Sequence, residues 1–272
     1  EWNDKYYAGP GTIYVENTQQ YSSGVGDLYI DNKTGRTPAY RPMNFKAIDY
    51  YLNDIYIGPN LLIDLETELN EQGGRGPVLY LSGDFTLSSG STINGRGKGF
   101  PTEQGPGAGQ SGSGQTGGAG AGHGGSGGNG QSDGGNPDSV AGIFYGNQRQ
   151  PLTIGSGGGR AGTGASGGSG GGAFAIRARY GNLSIAGTID VSGTNGLTAS
   201  PGGGGGAGGS ILLESNTCNI SGNLLAYGGN GGDDIYDGGG GGGGRISILY
   251  GGSSCDTTGT VNIANGSASQ GP

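Results

Sequence analysis

Glycine stands at 71 of the 272 positions and is gathered into runs, and no other feature restricts the fold as strongly. Glycine has no side chain to place in a core, and it loses more backbone freedom on folding than any other residue. A run of it orders only where backbone hydrogen bonds compensate; elsewhere it is a flexible linker. Hydrophobic residues are 31% of the chain, too few for a thick aliphatic core. Charged residues are only 12%, which argues against charge-driven disorder.

The placing of the runs favours order. Residues 1–100 are the least glycine-rich and carry short alternating runs that read as strands: 11–15, 28–31, 55–57, 78–81 and 85–87. Residues 61–69 have leucines at helical spacing, but the glycines bracketing them favour a strand. Residues 101–272 form a glycine-rich region with one island at 140–154. A repeat is visible from residue 172 onward. Gly172-Ala-Phe-Ala-Ile, Gly209-Ser-Ile-Leu-Leu and Gly244-Arg-Ile-Ser-Ile start 37 and then 35 residues apart. Each is followed by a second strand-like run and then by glycine. A period of this length predicts units that bury one face against their neighbours.

Within the runs, glycine recurs at every third position, as at Gly122, Gly125, Gly128 and at Gly164, Gly167, Gly170. Left-handed extended helices have about three residues per turn and no internal hydrogen bonds, so their amides must bond sideways. The expected fold class is therefore all-β: a solenoid-like or layered strand stack with polyglycine II-type extended helices in the glycine-rich loops.

Motifs for chemistry are sparse. His123 is the single histidine, which excludes multi-histidine metal sites and makes a Ser-His-Asp triad hard to build. G-x-S-x-G occurs at 124–128, 164–168 and 167–171, as chance provides at this glycine content, and no strand-to-helix turn carries it. Gly228-Gly-Asn-Gly-Gly-Asp-Asp-Ile-Tyr fits one calcium-binding nonapeptide, with Asp233, Asp234 and Asp237 as the candidate ligands. That motif works in tandem copies, and a solvated acidic loop tip is the simpler expectation. No cofactor is expected beyond such a calcium ion. Sequons stand at Asn32, Asn182, Asn219 and Asn265 as glycosylation candidates. Cys218 and Cys255 are the two cysteines, and an even count on a poorly hydrophobic chain predicts one disulfide and an oxidising, extracellular setting. The net charge of −8 and the lack of a basic stripe argue against nucleic acid, and the lack of about 18 consecutive apolar residues argues against membrane insertion.

Several segments carry a resemblance: Gly95-Arg-Gly-Lys-Gly-Phe-Pro, Gly171-Gly-Ala-Phe-Ala-Ile, Gly205-Gly-Ala-Gly-Gly-Ser-Ile, Ala226-Tyr-Gly-Gly-Asn-Gly-Gly and the glycine run leading into Arg245-Ile. Over residues 90–272, and in part over 9–32, the chain resembles glycine-rich repeat regions of large secreted or surface microbial proteins. More distantly it is similar to polyglycine-bundle phage adhesins. The resemblance implies a structural or adhesive role. In such regions a Gly-Thr-Ile-Tyr strand follows the unit that ends here near Val261. In this chain that strand is Gly11, Thr12, Ile13, Tyr14 and Val15, at the opposite end. The permuted order fits a piece of a longer tandem array, or a subunit that donates residues 1–32 to its neighbour. The second is the expectation taken forward: a non-catalytic extracellular fibre subunit assembled head-to-tail from copies of itself. The alternatives are an adhesin for surface glycans or a receptor, and an ice-binding protein.

Overall fold

The computed structural model describes residues 11–16, 25–31, 43–132, 134, 138–162, 164–233 and 235–268. Among them the chain is all β, in two sheets and without helices. The strands are β1 (Gly11–Val15), β2 (Asp27–Asp31), β3 (Met43–Phe45), β4 (Asp49–Leu52), β5 (Ile55–Ile57), β6 (Leu62–Leu65), β7 (Val78–Leu81) and β8 (Phe85–Leu87). They continue as β9 (Thr92–Asn94), β10 (Ala173–Ile185), β11 (Thr188–Asp190), β12 (Ser210–Ile220), β13 (Asn223–Leu225), β14 (Arg245–Tyr250), β15 (Cys255–Thr257) and β16 (Thr260–Asn262).

The large sheet runs β1-β2-β5-β8-β10-β12-β14, with β4 on β7, β7 on β10 and β15 on β12. The small sheet runs β3-β6-β9-β11-β13-β16. Every strand pairing is parallel except that of β1 with β2. The chain thus passes from the large sheet to the small one and returns one layer further on. The 35–37-residue repeat is one such layer, since Phe174, Ile211 and Ile246 stand directly opposite one another.

Side chains explain the register. One inward column of the large sheet is Ile30, Ile57, Leu87, Ile185 and Ile220, each opposite the next and fully buried. Ile63, Ile93, Ile189 and Leu224 form the matching column of the small sheet, in the same core. Each such side chain contributes about 1.5–3 kcal/mol on burial. A one-residue slip would turn a whole column outward. At the bends between β4 and β5 and between β7 and β8, carboxylates tie one layer to the next. The Oδ1 atoms of Asp54 and Asp84 accept from the amides of Asp84 (2.6 Å) and Asn182 (2.7 Å).

The glycine runs lie beside this stack and are bonded sideways. Gly118 and Ala121 donate to the carbonyls of Gly202 and Gly205 at 2.9 and 3.0 Å. Gly205 and Gly208 donate to Gly239 and Gly242 at 2.8 and 3.0 Å. Gly239 and Gly242 donate back to Gly118 and Ala121 at 2.9 and 2.8 Å. Three runs therefore close a ring of donors, stepping three residues at a time. They approach so closely that a Cβ on Gly204 would stand 1.9 Å from the Ala119 carbonyl oxygen, and one on Gly205 2.0 Å from that of Gly229.

All five strand runs expected in residues 1–100 are strands, and 62–65 is a strand rather than a helix. The short β3, β4 and β9 were not anticipated. β10 is also longer than expected, absorbing the start of the second run of its repeat. Its register shifts between Ala178 and Asn182, where three residues face the single Asn216 of β12. The division at residue 100 is one of composition, because both sheets cross it through the β8–β10 and β9–β11 pairings.

Candidate functional site

The expected assembly segment is β1, and its surroundings set it apart. Gly11, Thr12, Ile13, Tyr14 and Val15 are all exposed. In a strand packed on a core, alternate residues would be buried. Ile13 is 58% exposed and Val15 51%, so the apolar face of β1 is not buried in the core. β1 folds back on β2, with Ile13 opposite Tyr29. It does not continue the parallel stack. β4, by contrast, pairs only with β7, leaving one edge without a strand partner among the described residues.

The opposite end of the stack is also open among the described residues. There β14 and β15 end the large sheet and β16 ends the small one. Ile246 and Ile248 pack on the core but are only partly buried, and Val261 and Ile263 are about half exposed, at 47% and 52%. The sequence Gly11-Thr-Ile-Tyr-Val repeats the pattern of Gly244-Arg-Ile-Ser-Ile: glycine, then apolar residues two and four positions on. Among the described residues, one end therefore carries a half-exposed apolar strand and the other an apolar edge without a further strand.

The remaining predicted residues are scattered. Cys218 and Cys255 face each other across β12 and β15 and form the disulfide, which takes the place of an apolar pair in the column Ile55, Phe85, Leu183. Asp233 is exposed and Asp237 buried, and Asp234 lies outside the described residues. No group of three or more acidic, histidine or cysteine side chains suited to a metal occurs among the described residues. Asn32 also lies outside them. Asn182, Asn219 and Asn265 are exposed. The Asn182 amide nitrogen donates to Asp84 at 3.0 Å, and its oxygen accepts from Thr217 at 2.6 Å.

His123 is buried among the hydrogen-bonded glycine runs. Its Nδ1 donates to the Gly208 carbonyl at 2.7 Å, so Nε2 is left to accept from the Thr153 hydroxyl at 2.9 Å. Burial, reinforced by the Arg245 guanidinium, pushes its pKa down to about 4, so the ring is neutral at pH 7. Arg245 donates to the carbonyls of Tyr145 (2.9 Å) and His123 (3.3 Å), tying β14 to the 140–154 island. This cluster fastens the strand stack to the glycine runs. The hydroxyl–imidazole contact has a carbonyl where a catalytic triad has a carboxylate, and His123 is sealed from solvent.

A groove on the outward face of the large sheet was not anticipated. It gathers Tyr51, Tyr80, Arg177, Arg179 and Tyr180, which no local motif connects. The signal that could have found it is strand alternation, which points Tyr51, Tyr80 and Arg177 away from the core.

No family model, curated protein or solved structure matches this chain.

Proposed function

We propose that this protein is an extracellular structural protein, the subunit of a fibre assembled head-to-tail by strand complementation. In this reading the two sheets are a solenoid-like stack, and the hydrogen-bonded glycine runs are a polyglycine II-type lattice that stiffens one flank. The disulfide is consistent with an oxidising exterior. Among the described residues no helix is long and apolar enough to cross a membrane.

One observation carries the proposal: β1 exposes every residue at one end of a parallel stack whose far edge has no further strand among the described residues. Moved onto a neighbouring copy, β1 lies parallel to β14 with Ile13 over Ile246 and Val15 over Ile248. A heterologous contact of this kind propagates as an open filament. It also covers an edge that would otherwise invite uncontrolled pairing.

Negative-stain imaging tests the fibre, which requires long uniform threads from the parent protein. Replacing Ile13 and Val15 together by Asp changes only exposed side chains, so the fold is retained and threads are lost. The register is tested by mixing Ile13→Cys and Ile246→Cys variants under mild oxidation. A covalent dimer forms in the mixture, and a Thr12→Cys variant in place of Ile13→Cys gives none. Monodisperse particles from the parent protein would defeat the fibre. Threads without the Ile13–Ile246 crosslink would defeat only the register.

A further inference from the structure

We propose that the outward face of the large sheet binds a carboxylate-bearing glycan, held at Arg179 and flanked by Tyr51, Tyr80 and Tyr180. This does not rest on the fibre reading.

Parallel pairing sets one outward row across five strands: Tyr51, Tyr80, Arg177, Glu214 and Leu249, each opposite the next. Tyr51 and Tyr80 stack with ring centres 5.0 Å apart and planes 10° from parallel, and Tyr51 remains 60% exposed. The register shift in β10 then places Tyr180 outside the sheet, 85% exposed. Between these rings runs a groove of about 640 Å³. Arg179 also lines a second hollow of about 440 Å³, beside Arg149 and Tyr250. Each hollow has the size of a small-ligand site, and the shared Arg179 lets a polymer segment reach from one to the other.

The charge in the groove opposes that of the molecule. The chain carries −8, yet the two hollows hold three arginines and one carboxylate. Glu214 is divided between two of them, its Oε2 accepting from Arg177 Nη1 at 3.1 Å and its Oε1 from Arg179 Nε at 2.7 Å. As a result Arg177 Nε is buried with no hydrogen-bond partner. Native structures rarely leave such a donor unpaired. A ligand carboxylate on the exposed Arg179 frees both Glu214 oxygens for Arg177, giving two arginines and two carboxylates. Arginine suits this exchange because its planar fork binds carboxylates with two parallel hydrogen bonds.

Charge selects an acid, and the walls select a sugar. Tyrosine rings pack broadly against C–H faces, while their hydroxyls bond polar groups at the rim. A pyranose ring offers both kinds of surface, and a uronic acid adds the carboxylate.

Calorimetric titration of the intact protein tests this with three probes: tetragalacturonate, neutral maltotetraose and tetraglutamate. Tetragalacturonate is expected to bind in the millimolar range or tighter, with the other two at least about ten-fold weaker. Arg179→Gln and Tyr180→Ala alter exposed side chains and leave the melting temperature unchanged. Arg179→Gln lowers tetragalacturonate affinity about ten-fold or more, the size of one charged hydrogen bond. Equal binding of maltotetraose would show that the arginines read no charge. Equal binding of tetraglutamate would show that the tyrosines read no sugar. Absence of tetragalacturonate binding through the millimolar range, or full affinity in Arg179→Gln, would overturn the site.

Discussion

The strand stack and the glycine lattice lie side by side in one chain and are held by opposite means. In the stack, side chains such as Ile57, Leu87, Ile185 and Ile220 set the register, and the backbone follows. In the lattice there are almost no side chains. Order there comes from amides such as those of Gly118, Gly205 and Gly239, each bonded to the next run. The two regions should therefore respond oppositely to the same change. Removing a methylene group weakens the stack, whereas adding a methyl group breaks the lattice.

Gly204→Ala is the most severe test. Its Cβ would stand 1.9 Å from the Ala119 carbonyl oxygen, a backbone atom that can move only with its run. We expect a loss of more than about 4 kcal/mol in denaturant unfolding, or no folded protein. In a flexible linker, as mobile in the folded chain as in the unfolded one, the same change would be nearly neutral, so a neutral result would remove the lattice from the comparison. Next in size is the disulfide, which belongs to the stack and spans 37 residues. Replacing Cys218 and Cys255 together by Ser should cost about 4 kcal/mol on the chain-entropy estimate, read as a lowered unfolding midpoint.

Acid probes the junction between the regions. His123 has a pKa of about 4 in the folded protein and near 6.5 when unfolded, so the unfolded chain binds the extra proton first. Its contribution is complete above about pH 6.5 and falls away as the pH drops toward 4, about 3 kcal/mol in all. Equilibrium unfolding across that range checks this, and His123→Gln should flatten the pH dependence. The smallest effect is the sharpest control. Gly125 also lies in a glycine run, but a Cβ there meets nothing within 4 Å. Gly125→Ala should change stability by less than about 1 kcal/mol. A loss as large as that of Gly204→Ala would mean that glycine is needed for its backbone freedom and not for close approach.

The stack was legible in the sequence to the extent that it is periodic. The alternation at 55–57 and 85–87, and the starts at Gly172, Gly209 and Gly244, identify strands and layers because inward positions must be apolar. β3, β4 and β9, three or four residues each, do not stand out from their surroundings in the sequence, and each pairs in register with a strand of a neighbouring layer. The disulfide followed from counting cysteines, but its place inside an apolar column needed the register. Which glycine runs meet cannot be read locally, since the partners of Gly118 are Gly202 and Gly239. The groove was hidden for a similar reason: Tyr51, Tyr80 and Arg177 become neighbours only through strand pairing across more than a hundred positions of sequence.

The closed ring of glycine donors has a further consequence, in heat capacity. Exposing apolar side chains raises the heat capacity of unfolding, whereas exposing peptide groups lowers it. The stack therefore contributes a strongly curved stability profile that declines in the cold, while the lattice contributes a nearly flat one. Cooling should loosen the apolar columns before the amide ring, so that at low temperature the glycine flank becomes the firmer half of the molecule.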